Sequence, residues 1–96
     1  MSVNKIIMDL IKQNKVMVFS KSYCPYCVKA KELLKSLSIP FKAIELDLEP
    51  NGQEIQQELL SITNQKTVPN IFISTKHVGG CDKLFELHSK QDLKTL

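Results

Sequence analysis

Val3, Ile6, Ile7, Leu10 and Ile11 recur at helical spacing, with Asn4, Lys5, Asp9, Lys12 and Gln13 between them, which predicts an amphipathic first helix. Val16-Met17-Val18-Phe19 is a short unbroken apolar run, the pattern of a strand covered on both faces of its sheet. It leads through Ser20-Lys21-Ser22-Tyr23 into a second helix, whose inner face is Ala30, Leu33, Leu34 and Leu37 and whose outer face carries Lys29, Lys31, Glu32 and Lys35. Pro40 is expected to end that pattern. Phe41 to Leu46 alternates weakly and reads as a second strand, followed by Asp47 and the turn-forming Pro50-Asn51-Gly52. A third helix is expected over Gln53 to Ile62, with Ile55, Leu59 and Ile62 inward, and Thr63-Asn64-Gln65-Lys66 reads as a polar connection into Thr67-Val68-Pro69. Ile71-Phe72-Ile73 and Lys76-His77-Val78 then form a hairpin through Ser74-Thr75, closing at Gly79-Gly80. A last amphipathic helix is predicted to start near Asp82, whose side chain would cap it, and to turn Leu84, Leu87 and His88 inward.

The order helix, strand, helix, strand, helix, strand, strand, helix constrains the topology. Strands joined by a helical crossover should be parallel, and the closing hairpin must be antiparallel. The expected fold is therefore α/β, a mixed four-stranded sheet with helices on both faces. Ligands of open sheets bind at the carboxyl ends of strands, which directs attention to the turn after Phe19.

Composition narrows the function classes. With 96 residues, the chain is expected to form one domain over residues 1–96. Its 13 basic and 10 acidic side chains leave a net charge of only +3, without long runs of one sign, so nucleic acid is not the expected partner. The amino-terminal residues lack a sustained apolar stretch, Asp9 and Lys12 interrupting it, so no signal peptide and no membrane span are expected. Three cysteines, two of them closely spaced, suit a reducing compartment, with the cytoplasm as the default location.

The chemistry concentrates in Cys24-Pro25-Tyr26-Cys27, between the first strand and the second helix. Pro25 suits the first helical position, placing Cys24 at the cap and Cys27 in the first turn, so both sulfurs reach one face. Unpaired N–H groups and the positive helix end favour the Cys24 thiolate, and Lys21 adds a nearby cation. An ordinary thiol with a pKa of about 8.5 is only a few per cent ionised at neutral pH, whereas one near 5 is almost wholly thiolate. Cys24 should attack, and Cys27 should resolve a mixed disulfide formed on it. Two other readings use the same residues. A zinc site would need two further ligands from Cys81, His77 and His88, without a second Cys-x-x-Cys pair, so no metal is expected. A static disulfide over so short a loop would remove little unfolded-chain entropy. His77 and His88 read as surface or partly packed residues and not as catalytic bases.

Four separated elements, in this order, resemble a dithiol glutaredoxin of the thioredoxin-like fold: Phe19 to Cys27, Gln56, Thr67-Val68-Pro69, and Gly79-Gly80-Cys81-Asp82. The resemblance covers nearly the whole chain. Thioredoxins usually carry Gly-Pro between the cysteines and a Trp before them, and this chain has no Trp. The resemblance implies a glutathione-dependent thiol-disulfide oxidoreductase, active as a monomer on disulfide-bonded and glutathionylated proteins, with glutathione as reducing cosubstrate. It implies a cis Pro69 and a Val68 backbone that pairs with the glutathione peptide, beside Thr67. Lys21, Gln56 and Lys66 would meet the glycine carboxylate, while Cys81 and Asp82 would hold the γ-glutamyl end. Tyr26 would wall the cleft, and Cys81 is expected to act through its backbone, a third redox thiol being the alternative. Two rival activities follow from the same likeness: glutathione-independent exchange, and an iron-sulfur scaffold using Cys24 from two chains. Pro25 argues against the scaffold, because cluster-binding relatives usually carry a smaller residue there.

Overall fold

Ser2 starts the first helix by accepting the Lys5 backbone N–H on its hydroxyl at 3.1 Å, which satisfies one of the free donors of the first turn. In the computed structural model, which describes residues 2–90, this helix is α1 (Val3–Gln13). It is followed by β1 (Val16–Ser20), α2 (Pro25–Ser36), β2 (Lys42–Glu45), α3 (Gly52–Thr63), β3 (Asn70–Ile73), β4 (Lys76–Gly79) and α4 (Cys81–Ser89). The sheet order is β2-β1-β3-β4, with β1 parallel to β2 and antiparallel to β3, and β3 antiparallel to β4. The mixed four-stranded sheet expected from the element order is the one that forms.

Every residue of β1 is buried, because alternate side chains enter two different cores. Val16 and Val18 meet Ala30 and Leu34 of α2 and Leu84 of α4 on one face. Met17 and Phe19 meet Ile7 and Ile11 of α1 and Ile55 and Leu59 of α3 on the other. Phe19 packs edge-on to Phe72, with ring centroids 6.0 Å apart. Helices thus cover both faces, and β1 carries its last residue to the carboxyl edge between them. No helix among the described residues is long and apolar enough to cross a membrane.

Five details of the pattern resolve differently. The second helix ends before Pro40 can act on it: Ser38 takes a left-handed φ of 57°, its N–H reaching Lys35 O and that of Ile39 reaching Leu34 O, each at 3.0 Å. Those two bonds are a Schellman cap. Ile62, in the last turn of α3, is 37% exposed, and only Ile55 and Leu59 of the three expected residues are buried. Helix α4 starts one residue earlier than expected, with Gly80 at its cap, so Asp82 lies in the first turn and does not cap it. His88 is exposed in the last turn of the same helix, while Leu84 alone of the three expected residues is fully buried and Leu87 is half-buried. The second strand is also trimmed to Lys42–Glu45, although Leu46 N–H still donates to Ser20 O at 2.8 Å.

Candidate active site

The carboxyl end of β1 hands the chain to a short loop that is tied down from both sides. Cys24 N–H donates to Lys21 O at 3.1 Å, and Cys24, with extended backbone, caps α2 immediately before Pro25. That geometry turns the free N–H groups of Cys27 and Tyr26 toward the Cys24 sulfur. Burial alone would raise the Cys24 pKa and is the largest single influence, but the Cys27 N–H and thiol, the Tyr26 N–H and the Lys21 charge together outweigh it and hold the thiol below its ordinary value. Cys27, by contrast, is wholly buried, and burial pushes its thiol up against the opposing bonds from Ser20 and Lys21. All three cysteines are free thiols.

Opposite the sulfurs stands the segment before β3. The Val68–Pro69 bond is cis, as the resemblance implied, and the Cys24 thiol points at Val68 O, 3.8 Å away. Gln56 on α3 donates to Lys66 O at 3.2 Å, closing a groove of about 330 Å³ lined by Gln53, Gln56, Gln57, Leu60 and Lys66. On the other side, Gly80 abuts Pro69 O, the space at its Cα leaving 3.6 Å to that oxygen for an added Cβ. The structure therefore brings Val68 O and the Lys21 charge to Cys24, with Pro69 next to Val68 and Cys81, at the start of α4, close enough to feel the Cys24 charge, while Gln56 and Lys66 meet each other across the groove beside α3. Thr67 and Asp82 are exposed, and Tyr26 stands out from the first turn of α2, 59% exposed. Cys81 is buried at the start of α4, and burial, with the neighbouring Asp82 carboxylate, raises its pKa. Its sulfur is thus kept protonated, which suits a backbone role.

Several residues that build the site do not stand out in the sequence. Ser20 donates to Glu45 Oε1 at 2.7 Å, and Lys31 of α2 reaches Glu45 Oε2 at 2.9 Å. Ser22 gives both its N–H and its hydroxyl to the Asp47 carboxylate, and the hydroxyl is the first cause of that group's lowered pKa. Two carboxylates, Glu45 at the end of β2 and Asp47 just after it, thus anchor the loop that carries Lys21 and Cys24. Only the parallel register, Ser20 opposite Glu45, connects these distant residues. Cavity size would have pointed elsewhere, since the spaces of about 520 and 530 Å³ beside Phe41 and between β4 and α4 lie away from the cysteines. Among the described residues, no three His, Cys, Asp or Glu side chains gather as metal ligands.

A capping thiol of lowered pKa, a buried second thiol in the first turn of the same helix and a facing cis-proline, all at the carboxyl edge of this mixed sheet, define an oxidoreductase of the thioredoxin-like fold. The glutaredoxin family model matches residues 16–78. Glutaredoxin-C2 of Arabidopsis thaliana is 50% identical over 88 residues, spanning 92% of this chain and 79% of that protein. A glutaredoxin of Solanum lycopersicum is 51% identical over 88 residues, 92% of this chain and 82% of its own length. Among solved structures, a buckwheat glutaredoxin-glutathione complex superposes with a TM-score of 0.95 at 43% identity, covering 97% of this chain and 84% of the other. The holo form of glutaredoxin C1 from Populus tremula x tremuloides gives 0.93 at 39% identity, covering 97% and 92%. This chain belongs to the glutaredoxin family.

Proposed function

We propose that this protein uses glutathione to reduce protein disulfides and protein-glutathione mixed disulfides, with Cys24 as nucleophile and Cys27 as resolving thiol. The observation that carries the reading is the opposite environment of the two sulfurs: one at a helix cap with its pKa lowered, the other sealed behind it with its pKa raised. In deglutathionylation, the Cys24 thiolate attacks the glutathionyl sulfur of the substrate. The disulfide bond between that sulfur and the substrate's cysteine sulfur breaks, and the protein thiolate leaves and takes a proton from water. A second glutathione thiolate then attacks the glutathionyl sulfur on Cys24, forming glutathione disulfide and restoring the Cys24 thiolate. With a protein disulfide, Cys24 forms the mixed disulfide first. Cys27 then loses its proton, attacks the Cys24 sulfur and expels the reduced substrate, and two glutathione molecules reduce the resulting Cys24–Cys27 bond. Being wholly buried, Cys27 can meet the Cys24 sulfur but not an incoming protein.

Glutathione fits the rim by charge and backbone chemistry. An extended peptide beside Val68 would exchange main-chain hydrogen bonds with it, as strand addition does. Lys21, Gln56 and Lys66 offer donors for the glycine carboxylate, and the N-terminal turn of α4 at Cys81 and Asp82 offers N–H groups and an anion for the γ-glutamyl end. The relative in the buckwheat structure is described as a glutathione complex, which supports the same ligand here. The reading carries with it a monomer working in a reducing, cytosolic setting, where three thiols stay free.

The deciding experiment is turnover of a glutathionylated peptide by wild type, Cys24→Ser and Cys27→Ser. Cys24→Ser should lose activity by at least about 10³-fold, and Cys27→Ser should retain most of it. Equal loss in both variants would sink the role assignment. Mass mapping after mild oxidation should find glutathione on Cys24 while Cys81 stays unmodified.

A further inference from the structure

Val68 faces the cysteines because the carbonyls on either side of it are held the other way. Gln65 Nε2 donates to Thr67 O and to Pro69 O, both at 3.0 Å, so one side-chain amide spans the whole segment. Val68 O is left pointing at the Cys24 thiol. The amide of Gln65 is itself fixed from behind. Its Oε1 lies 3.2 Å from His77 Nε2, and the same nitrogen lies 2.9 Å from Asn70 Oδ1.

The proton positions in this cluster follow from its partners. Thr67 O and Pro69 O only accept, so the Gln65 NH₂ must face them and its oxygen must face His77. Thr63 gives its hydroxyl hydrogen to Leu59 O at 2.7 Å, so toward Asn70 Nδ2, 3.3 Å away, it is an acceptor, and the Asn70 oxygen also faces His77. Two oxygens converge on His77 Nε2, which therefore carries the hydrogen and shares it between them. Asn70 is 1% exposed, so these bonds replace water at a buried polar group.

The imidazole is aimed there by a bulge. Ile71 pairs with Gly79 and Phe72 with His77, leaving Val78 as an extra residue in β4. The extra residue puts His77 on the Phe72 face, its ring 5.1 Å from that of Phe72, beside the end of α3. Gly79, at a φ of 125°, supplies the backbone conformation that closes the bulge.

We propose that Gln65 and His77 are positioning residues for glutathione recognition: the His77–Gln65 pair sets the Thr67–Pro69 segment so that the Val68 backbone is presented to the glutathionyl peptide. This role rests on the glutathione reading above. Neither side chain touches the sulfurs, so the pair acts on binding and not on thiolate chemistry.

The test compares Gln65→Leu, His77→Leu and His77→Gln with wild type, using a glutathionylated peptide and, separately, iodoacetamide alkylation of Cys24. Gln65→Leu removes the donor that holds Thr67 O and Pro69 O, and His77→Leu removes the donor that fixes the Gln65 amide from behind, so KM for the peptide should rise roughly 5- to 150-fold in the two Leu variants with kcat nearly unchanged. Alkylation of Cys24 should keep its wild-type rate, because the small reagent needs no Val68 contact. His77→Gln, which can still donate to both oxygens, should recover most of the KM. In wild type, nitrogen-15 NMR should show the hydrogen on His77 Nε2 and an unprotonated Nδ1. Unchanged KM in both Leu variants, alkylation falling in parallel with KM, or the hydrogen on Nδ1 would each overturn the positioning role. A wild type that does not turn over the peptide would overturn the glutathione reading itself, and the role with it.

Discussion

At the residue scale, one turn of helix separates two thiols with opposite acidities, and the difference is set by which N–H groups each sulfur can reach. Cys24 sits where the first N–H groups of α2 are free, whereas Cys27 lies inside the turn and behind it. The sign of the pH dependence follows. Between the lowered value of Cys24 and the ordinary thiol value, Cys24 is mainly thiolate while Cys27 and Cys81 remain protonated. Alkylation of the reduced protein should therefore be selective for Cys24 at neutral pH, and its rate should fall about tenfold per pH unit once the pH drops below the Cys24 value. Rate profiles from pH 3 to 9, with the modified cysteine identified by mass, check both statements. Lys21→Gln should move the profile upward only slightly, since the Lys21 charge is the smallest of the named influences on Cys24 and the N–H donors remain. Much of this was legible in Cys24-Pro25-Tyr26-Cys27, because a proline-led helix start dictates its own free donors. Glu45 and Asp47 were not, because their role exists only when β2 lies in register beside β1.

Among the elements, helix and strand positions followed the apolar spacing, while the ends followed backbone chemistry that spacing does not report. Pro40 looked like the stop of α2, yet Ser38 supplies it first by entering the left-handed region. The hairpin at Ser74-Thr75 was legible from the two apolar runs, but not its strain: both residues have positive φ, 51° and 68°, which suits Asn-Gly far better than a β-branched residue. A left-handed residue with a Cβ costs about 1–2 kcal/mol, and the greater unfolded freedom of glycine gives back roughly 0.5–1. Ser38→Gly and Thr75→Gly should each stabilise the protein by about 0.5–1 kcal/mol. Urea unfolding at unchanged slope would register this as a higher midpoint, and a lower midpoint in either variant would contradict the strain argument. Asp82 misled for a related reason. A residue that can cap does so only at the cap, and Gly80, close to Pro69 O, occupies that place.

For the molecule as a whole, the active site is a seam between β1, β2, α3 and the segment before β3, so its shape depends on how closely α3 approaches β2. That approach is set at Gly52, where an added Cβ would fall 1.8 Å from Leu46 O. Leu46 leads from β2 into Asp47, which holds Ser22, and α3 leads to Gln56, which holds Lys66. A methyl group at position 52 must therefore move either the anchor of the cysteine loop or the wall of the groove. Pro50-Asn51-Gly52 was readable as a turn, but this close approach belongs to tertiary packing and leaves no mark on spacing. Gly52→Ala should cost about 2–4 kcal/mol, a large share of the roughly 5–15 kcal/mol available to a small domain. It should also raise KM for a glutathionylated substrate. Gly80→Ala provides the contrast: its Cβ would meet Pro69 O at an ordinary 3.6 Å, at a residue with negative φ, so stability should change by less than about 1 kcal/mol. Thermal unfolding of the two variants side by side measures the difference. Equal effects would mean that the glycines are needed for turn conformation alone, and a large loss confined to Gly52→Ala would mean that the fold positions its site through the closeness of α3 to Leu46.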